Sequence, residues 1–146
     1  MNIRWIAIAI AIFFGSAALP ASAADPIYKE GPVTEVWYIR TLPGKYEDYM
    51  RWVGNERKRE LEGFKKAGMI LSYAVYSTRP RTPEDPDLII TVTYPNMAAL
   101  DNLHERGDPI SKEVYGSMQS AQQDTVDREQ VRRVIGSELI RELILQ

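Results

Sequence analysis

Apolar and polar positions alternate most cleanly between Leu88 and Tyr94. Leu88, Ile90, Val92 and Tyr94 fall on one face of an extended strand, and Ile89, Thr91 and Thr93 on the other. β-Branched residues fill most of this stretch, as suits a pleated, packed surface. Asp85-Pro86-Asp87 marks a turn before it. Pro95, which has no N–H to give to a strand ladder, ends it, and Asn96 is placed to cap a helix starting at Met97. Neither face of the strand is fully polar, so both are expected to be covered.

The same pattern places the other elements. Val33–Leu42 reads as a strand with Val33, Glu35, Trp37 and Ile39 on one face and Thr34, Val36, Tyr38 and Arg40 on the other; Pro43-Gly44 ends it. From Lys45 to Lys66, Tyr46, Tyr49, Met50, Val53, Arg57, Leu61 and Phe64 recur every three or four residues and predict one long helix, with Lys65 and Lys66 suited to its C-terminus and Gly68 as its stop. Met69–Thr78 alternates as a second strand. The proline-rich segment from Arg79 to Pro86 leads to the strand at Leu88. A helix from Met97 to about Arg106 is expected to end at Gly107. Asp108-Pro109 then reads as the start of another helix, continued by Ile110, Val114, Met118, Ala121 and Thr125 or Val126, and a short helix is expected over Arg128–Ile135. Ser137–Gln146 fits either period. A strand is favoured, because three strands and two helices imply a sheet that needs a fourth member.

The N-terminus follows a different pattern. Arg4 precedes an uninterrupted apolar run from Trp5 to Phe14, small residues extend it, Pro20 breaks it, and Ala21-Ser22-Ala23 matches the small-x-small signature of signal peptidase. The run of about 15 residues is short for a membrane span of about 20. The organisation expected is a signal peptide over residues 1–24, a leader over 25–32 and one domain over 33–146, giving a periplasmic or secreted protein with no membrane attachment once cleaved. The chain has no cysteine, so disulfides, thiolate metal sites and a lipoprotein anchor are excluded, and the domain must stand on its apolar core alone. The formal charge of −2 argues against nucleic acid as a partner. The one dense basic run, Arg57-Lys58-Arg59 with Lys65-Lys66, is interleaved with Glu56, Glu60 and Glu62 and reads as a solvated helix face.

The order strand, helix, strand, strand, helix, strand is a ferredoxin-like split βαβ arrangement. The junction Arg40-Thr-Leu-Pro-Gly-Lys-Tyr46, the long helix ending Lys65-Lys-Ala-Gly68, and the strand Leu88–Tyr94 running into Asn96-Met-Ala-Ala-Leu100 together resemble the dimeric α/β-barrel superfamily over roughly Val33 to Leu103. Within it, the chain is most similar to exported members of the NIPSNAP-like and antibiotic-biosynthesis-monooxygenase-like groups. The fold class implied is α+β: a ferredoxin-like βαββα core with extra C-terminal helices and a final strand, paired as a dimeric α/β barrel. The resemblance implies a homodimer whose two sheets face one another. The superfamily hosts monooxygenases, isomerases, haem-handling proteins and members without a known reaction, so fold alone does not give function.

No nucleophile–base arrangement, nucleophile elbow, phosphate loop or metal-ligand spacing is visible, so no metal and no cofactor is expected. His104, the only histidine, could be a haem ligand or a general base. Beside Glu105 and Arg106 it matches no haem-binding motif, and the reading as a helix-end surface residue is favoured. Glu84, Asp85 and Asp87 read as a solvated acidic loop. The remaining candidates for a ligand cavity are Glu35 with Trp37, or Tyr38 with Arg40, joined by Tyr73, Thr91 and Thr93. Trp37 and Tyr73 also read as core or dimer-interface aromatics, and that reading is favoured. The expected function is binding of a small apolar or aromatic ligand, or of a protein partner, without catalysis. The alternative is a cofactor-independent monooxygenase or isomerase acting on an aromatic or polyketide-like small molecule.

Overall fold

The computed structural model describes residues 26–146. The segment read as a signal peptide lies outside the described residues. Four strands form one antiparallel sheet in the order β2-β3-β1-β4: β1 is Tyr28–Thr41, β2 Ser72–Ser77, β3 Leu88–Tyr94 and β4 Arg132–Leu145. The helical segments are α1 (Tyr46–Trp52), a π-helical turn (Val53–Arg57), α2 (Lys58–Lys66), a 3-10 turn (Met97–Leu100), α3 (Leu103–Tyr115) and α4 (Met118–Arg128). This order, sheet and one-sided helical cover make a ferredoxin-like α+β fold.

Register decides which face each residue occupies. β1 and β3 pair Val33 with Tyr94, Glu35 with Val92, Trp37 with Ile90 and Ile39 with Leu88. Residues directly opposite share a face, so these eight lie under the helices. Two buried clusters form there. Ile39, Tyr49, Val53, Leu88 and Ile90 make one, and Leu61, Met69, Ile70, Val92 and Tyr94 the other. Thr34, Val36, Tyr38, Ile89, Thr91 and Thr93 lie on the free face.

The long helix is continuous from Tyr46 to Lys66 but carries a π turn at its centre. Its inward residues Tyr49, Val53, Arg57 and Leu61 are spaced by four, and on a regular helix each such step overshoots a full turn by about 40°. A wider π turn absorbs that drift and keeps the series facing the sheet.

Four expectations are corrected. β1 begins at Tyr28, inside the segment read as a leader, and the ladder with β4 shifts register between Glu30 and Val33. The shift accommodates Pro32, which cannot donate a ladder bond. Gly107 does not end a helix. It sits buried inside α3, and a Cβ there would come within 3.2 Å of the Phe64 ring, so glycine allows α3 to approach α2. α3 runs on through Pro109, forgoing one backbone bond, and turns at Gly116, whose φ of 83° suits glycine. Asn96 does cap, its side chain accepting from Ala99 N at 3.0 Å, but over a 3-10 turn only. Finally, the short helix over Arg128–Ile135 is not formed. α4 ends at Arg128, and β4 takes Arg132 onward as a strand reaching Leu145. The alternating run from Ser137 is thus the last part of a longer strand.

The acidic loop is also more than solvated. The Asp87 carboxylate accepts from Thr41 N at 3.0 Å and from the Thr41 hydroxyl, and Asp85 accepts from the backbone N–H groups of Arg81 at 2.8 Å and Thr82 at 3.1 Å. The Asp87 bonds pin the start of β3 to the end of β1, and the Asp85 bonds hold the loop's own turn.

Candidate functional site

Between the sheet and the helices lies a cavity of about 620 Å³, within the range of roughly 300–1,000 Å³ usual for small-molecule sites. β1 supplies Glu35, Trp37 and Ile39, and β3 supplies Ile90 and Tyr94. The long helix supplies Tyr49, Trp52, Arg57, Glu60 and Phe64. α3 and α4 close it with His104, Ser111, Tyr115, Met118, Ala121 and Arg128, and β4 adds Arg132 and Val134.

Arg132 reaches this side through a bulge. β4 pairs Gly136 with Tyr38 but Val134 with Ile39, so Ile135 is an extra residue in the ladder. Every β4 residue before it changes face relative to an unbroken strand. Arg132, opposite Thr41, therefore turns inward and is only 7% exposed.

The cavity wall is braced by polar contacts. Glu60, itself buried, accepts from Arg57 Nη1 at 2.7 Å and from the Ser111 hydroxyl at 2.7 Å. Trp52 Nε1 donates to Asp124 at 3.1 Å, and Tyr49 stacks on Trp52 with ring centroids 5.5 Å apart. The Arg128 guanidinium lies 4.1 Å from the centre of the Trp52 ring while Nη1 bonds Asp124 and Nη2 donates to Thr125 at 2.9 Å. Arg132 Nη1 donates to Glu129 at 2.7 Å. The Tyr94 hydroxyl donates to Glu35 at 3.3 Å. Burial, and then the Glu35 charge, push the Tyr94 phenol up to about 12; burial, and then the Glu60 charge, push Tyr115 up to about 12. Burial raises Tyr49 too, opposed by the charges of Arg132, Arg128 and Arg57. At neutral pH these phenols are proton donors, not bases. Three buried nitrogens of the wall have no hydrogen-bond partner among the described residues: Trp37 Nε1, Arg128 Nε and Arg132 Nε. Each such group costs about 1–3 kcal/mol.

Of the candidate residues read from sequence, the structure brings Glu35, Trp37 and His104 to this cavity; His104 is exposed in the first turn of α3. Tyr38, Arg40, Thr91 and Thr93 are on the opposite face of the sheet. There the Tyr38 hydroxyl donates to Glu138 at 2.5 Å, and Thr93 shares a 2.9 Å bond with Thr34. Arg40 lies 3.9 Å from Asp87. Tyr73, opposite Val92, is on the helix side but on the edge strand, where it donates to Glu62 at 2.5 Å. The sequence reading missed Arg57 and Glu60, which it assigned to a solvated face, along with Trp52, Tyr94, Tyr115, Arg128 and Arg132. A signal existed for Arg57, an arginine within an otherwise apolar helical stripe. Among the described residues, no group of three or more His, Asp or Glu side chains could hold a metal ion, and no helix is long and apolar enough to cross a membrane.

Neither protein-family models nor curated proteins match this chain. Among solved structures, HapK from Hahella chejuensis superposes with a TM-score of 0.51 at 12% identity, over 75% of this chain and 91% of HapK. A chlorite dismutase-like protein gives a TM-score of 0.40 at 16% identity over 77% of this chain, which spans 44% of that protein. The likeness to HapK supports the ferredoxin-like fold and nothing finer.

The tyrosines of the cavity yield a pH prediction. A phenol whose pKa is raised in the folded state stabilises fully below its unfolded value of 10.0, and that contribution is lost as pH climbs toward about 12. Unfolding temperature should therefore gain no penalty from Tyr94 or Tyr115 below pH 10 and fall above it. Ultraviolet phenolate titration should show that Tyr94→Phe and Tyr115→Phe each remove one late-ionising group. If these variants instead remove groups titrating at the ordinary tyrosine pH, the phenols are in contact with bulk water.

Proposed function

We propose that this chain is an exported homodimer that binds a small apolar or aromatic ligand in each protomer's sheet–helix cavity, without catalysing a reaction. The cavity carries this reading. Its volume suits a small molecule, and its walls combine aromatic rings with a few fixed polar groups. Most of the groups that chemistry would need, Glu35 apart, are committed elsewhere. The Ser111 hydroxyl is bonded to Glu60, both Glu60 oxygens have donors, and the phenols hold their protons.

A second reading, a cofactor-independent monooxygenase or isomerase acting on an aromatic or polyketide-like molecule, is favoured by one observation. Glu35 faces the cavity with a single long bond from Tyr94, leaving acceptor capacity for a substrate proton. The neutral fluorescent probe N-phenyl-1-naphthylamine tests the site: binding should saturate and be lost in Ala121→Trp, which fills the cavity. Failure of this probe and of its anionic analogue to bind the folded protein would remove the small-molecule reading. Dioxygen uptake with a dihydroxynaphthalene, lost in Glu35→Gln, would replace binding by catalysis as the function.

The dimer rests on the free face of the sheet. Ala74, Tyr76 and Ile89 lie there with no helix over them, and β4 continues the apolar surface with Ile140 and Ile144, about half exposed. Contiguous exposed apolar surface often marks an interaction site, and a two-fold partner would cover it by using the same surface twice. Export rests on the N-terminal apolar run and Ala21-Ser22-Ala23. Native mass spectrometry of the exported protein should give a dimer of chains lacking Met1 to Ala23 or Ala24. Ile89→Lys should yield monomer or fail to fold. A wild-type monomer at micromolar concentration would overturn the dimer, and retention of the first 23 residues would make the segment an anchor.

A further inference from the structure

The charges of the cavity wall do not cancel. Each of its arginines is matched by a carboxylate: Arg57 by Glu60 at 2.7 Å, Arg128 by Asp124, and Arg132 by Glu129 at 2.7 Å. Two lining carboxylates are left over, Glu35 on β1 and Asp108 on α3, and among the described residues neither forms an ion pair. The wall therefore carries an excess of negative charge, divided between its sheet side and its helix side. Glu35 is half-buried, and the one side-chain bond it accepts comes from the Tyr94 hydroxyl, a neutral donor, at 3.3 Å. A carboxylate has room for about four such bonds. The Arg57 charge reaches Tyr94, but its guanidinium is turned to Glu60. Glu35 and Trp37 sit two residues apart on the same face of β1, about 7 Å along the strand. Arg128 already lies over the Trp52 ring, whereas no cation lies over Trp37 among the described residues. An open carboxylate with an aromatic ring at this spacing suits a positively charged nitrogen, which can donate to the one and lie against the other. A neutral apolar guest would take water from Glu35 and give nothing back, and an anion would be repelled.

We infer that the ligand is a cation: an organic ammonium ion on an aromatic or apolar body, its nitrogen held by Glu35 beside Trp37 and its charge further balanced by Asp108. This deepens, and rests on, the reading of the cavity as a small-molecule site. The body of the ligand takes the apolar part of the cavity, lined by Ile39, Ile90 and Met118.

Titration calorimetry on the full exported protein at neutral pH tests this with two probes of one shape. 1-Naphthylmethylamine carries an ammonium group, and 1-naphthalenemethanol has a hydroxyl in its place. The amine should bind about tenfold more tightly than the alcohol, and Ala121→Trp should abolish binding of both. Glu35→Gln keeps the side chain's shape and an acceptor for Tyr94 but removes the charge, and it should bring the amine-to-alcohol affinity ratio close to one. A merely structural role for Glu35 would change both affinities alike and leave the ratio where it was. Asp108→Asn should lower the ratio about twofold. Glu84→Gln, a loss of the same charge in the exposed loop, should leave it unchanged. Should Glu35→Gln fail to fold, the comparison of Asp108→Asn with Glu84→Gln decides alone. Equal affinities for the two probes, a ratio unmoved by Glu35→Gln, or amine binding that survives Ala121→Trp overturns the cation. In each of these cases saturable binding of N-phenyl-1-naphthylamine keeps the cavity as a neutral-ligand site. Failure of all three compounds to bind overturns the small-molecule reading together with the cation.

Discussion

The register between β1 and β3 is the constraint on which the rest of the molecule depends. It sets Val33, Leu88 and Val92, each almost wholly buried, beneath the helices, and it joins Thr34 to Thr93 by a hydroxyl bond on the other face. A slip of one residue would turn Thr91 under the helices and push Ile90 out, exchanging the whole apolar set for a half-polar one. Two irregularities in the neighbouring β1–β4 ladder then adjust what the register leaves open. The first admits Gly31-Pro32, and the second, at Ile135, changes the facing of Arg132 and Val134. One inserted residue thereby alters the chemistry of the space between sheet and helices without touching the core pairing.

That space divides the core in two. One apolar cluster surrounds Leu88 and Tyr49, the other Leu61 and Val92, and polar side chains line the cavity wall alongside them. The Arg57–Glu60–Ser111 and Trp52–Asp124–Arg128 bridges tie three helical segments together where apolar packing alone would have to close the gap. Buried polar networks of this sort hold their shape only when their members are satisfied. The nitrogens left over mark places where the fold is stabilised less than it could be.

The long helix shows how backbone and site are coupled. Four-residue spacing from Tyr49 to Leu61 would spiral away from the sheet on a regular helix, and the π turn at Val53–Arg57 corrects it. The same correction carries Arg57 and Glu60 inward, so a stretch with the composition of a solvated surface contributes an ion pair to the cavity wall.

Local pattern determined the sheet strands, the long helix and the ferredoxin-like order, because period-two and helical spacing are properties of neighbours in sequence. The face of Glu35 and Trp37 followed from alternation with Ile39, and the cap at Asn96 from its place after Pro95. The N-terminal run likewise set an expectation of export. What the sequence could not decide were features settled by distant partners. Gly107 reads as a helix stop, yet it lies inside α3, where the absence of a side chain makes room for the Phe64 ring. Arg132 reads as part of a short helix, yet a ladder with Thr41 and a bulge at Ile135 make it an inward strand residue. Thr91 and Thr93 could share a cavity with Glu35 only if they lay on its face, and cross-strand pairing sets them on the other. The site is built from side chains brought together across three strands, the long helix, α3 and α4, so its polar contacts exist only once the tertiary packing has fixed which groups have found one another.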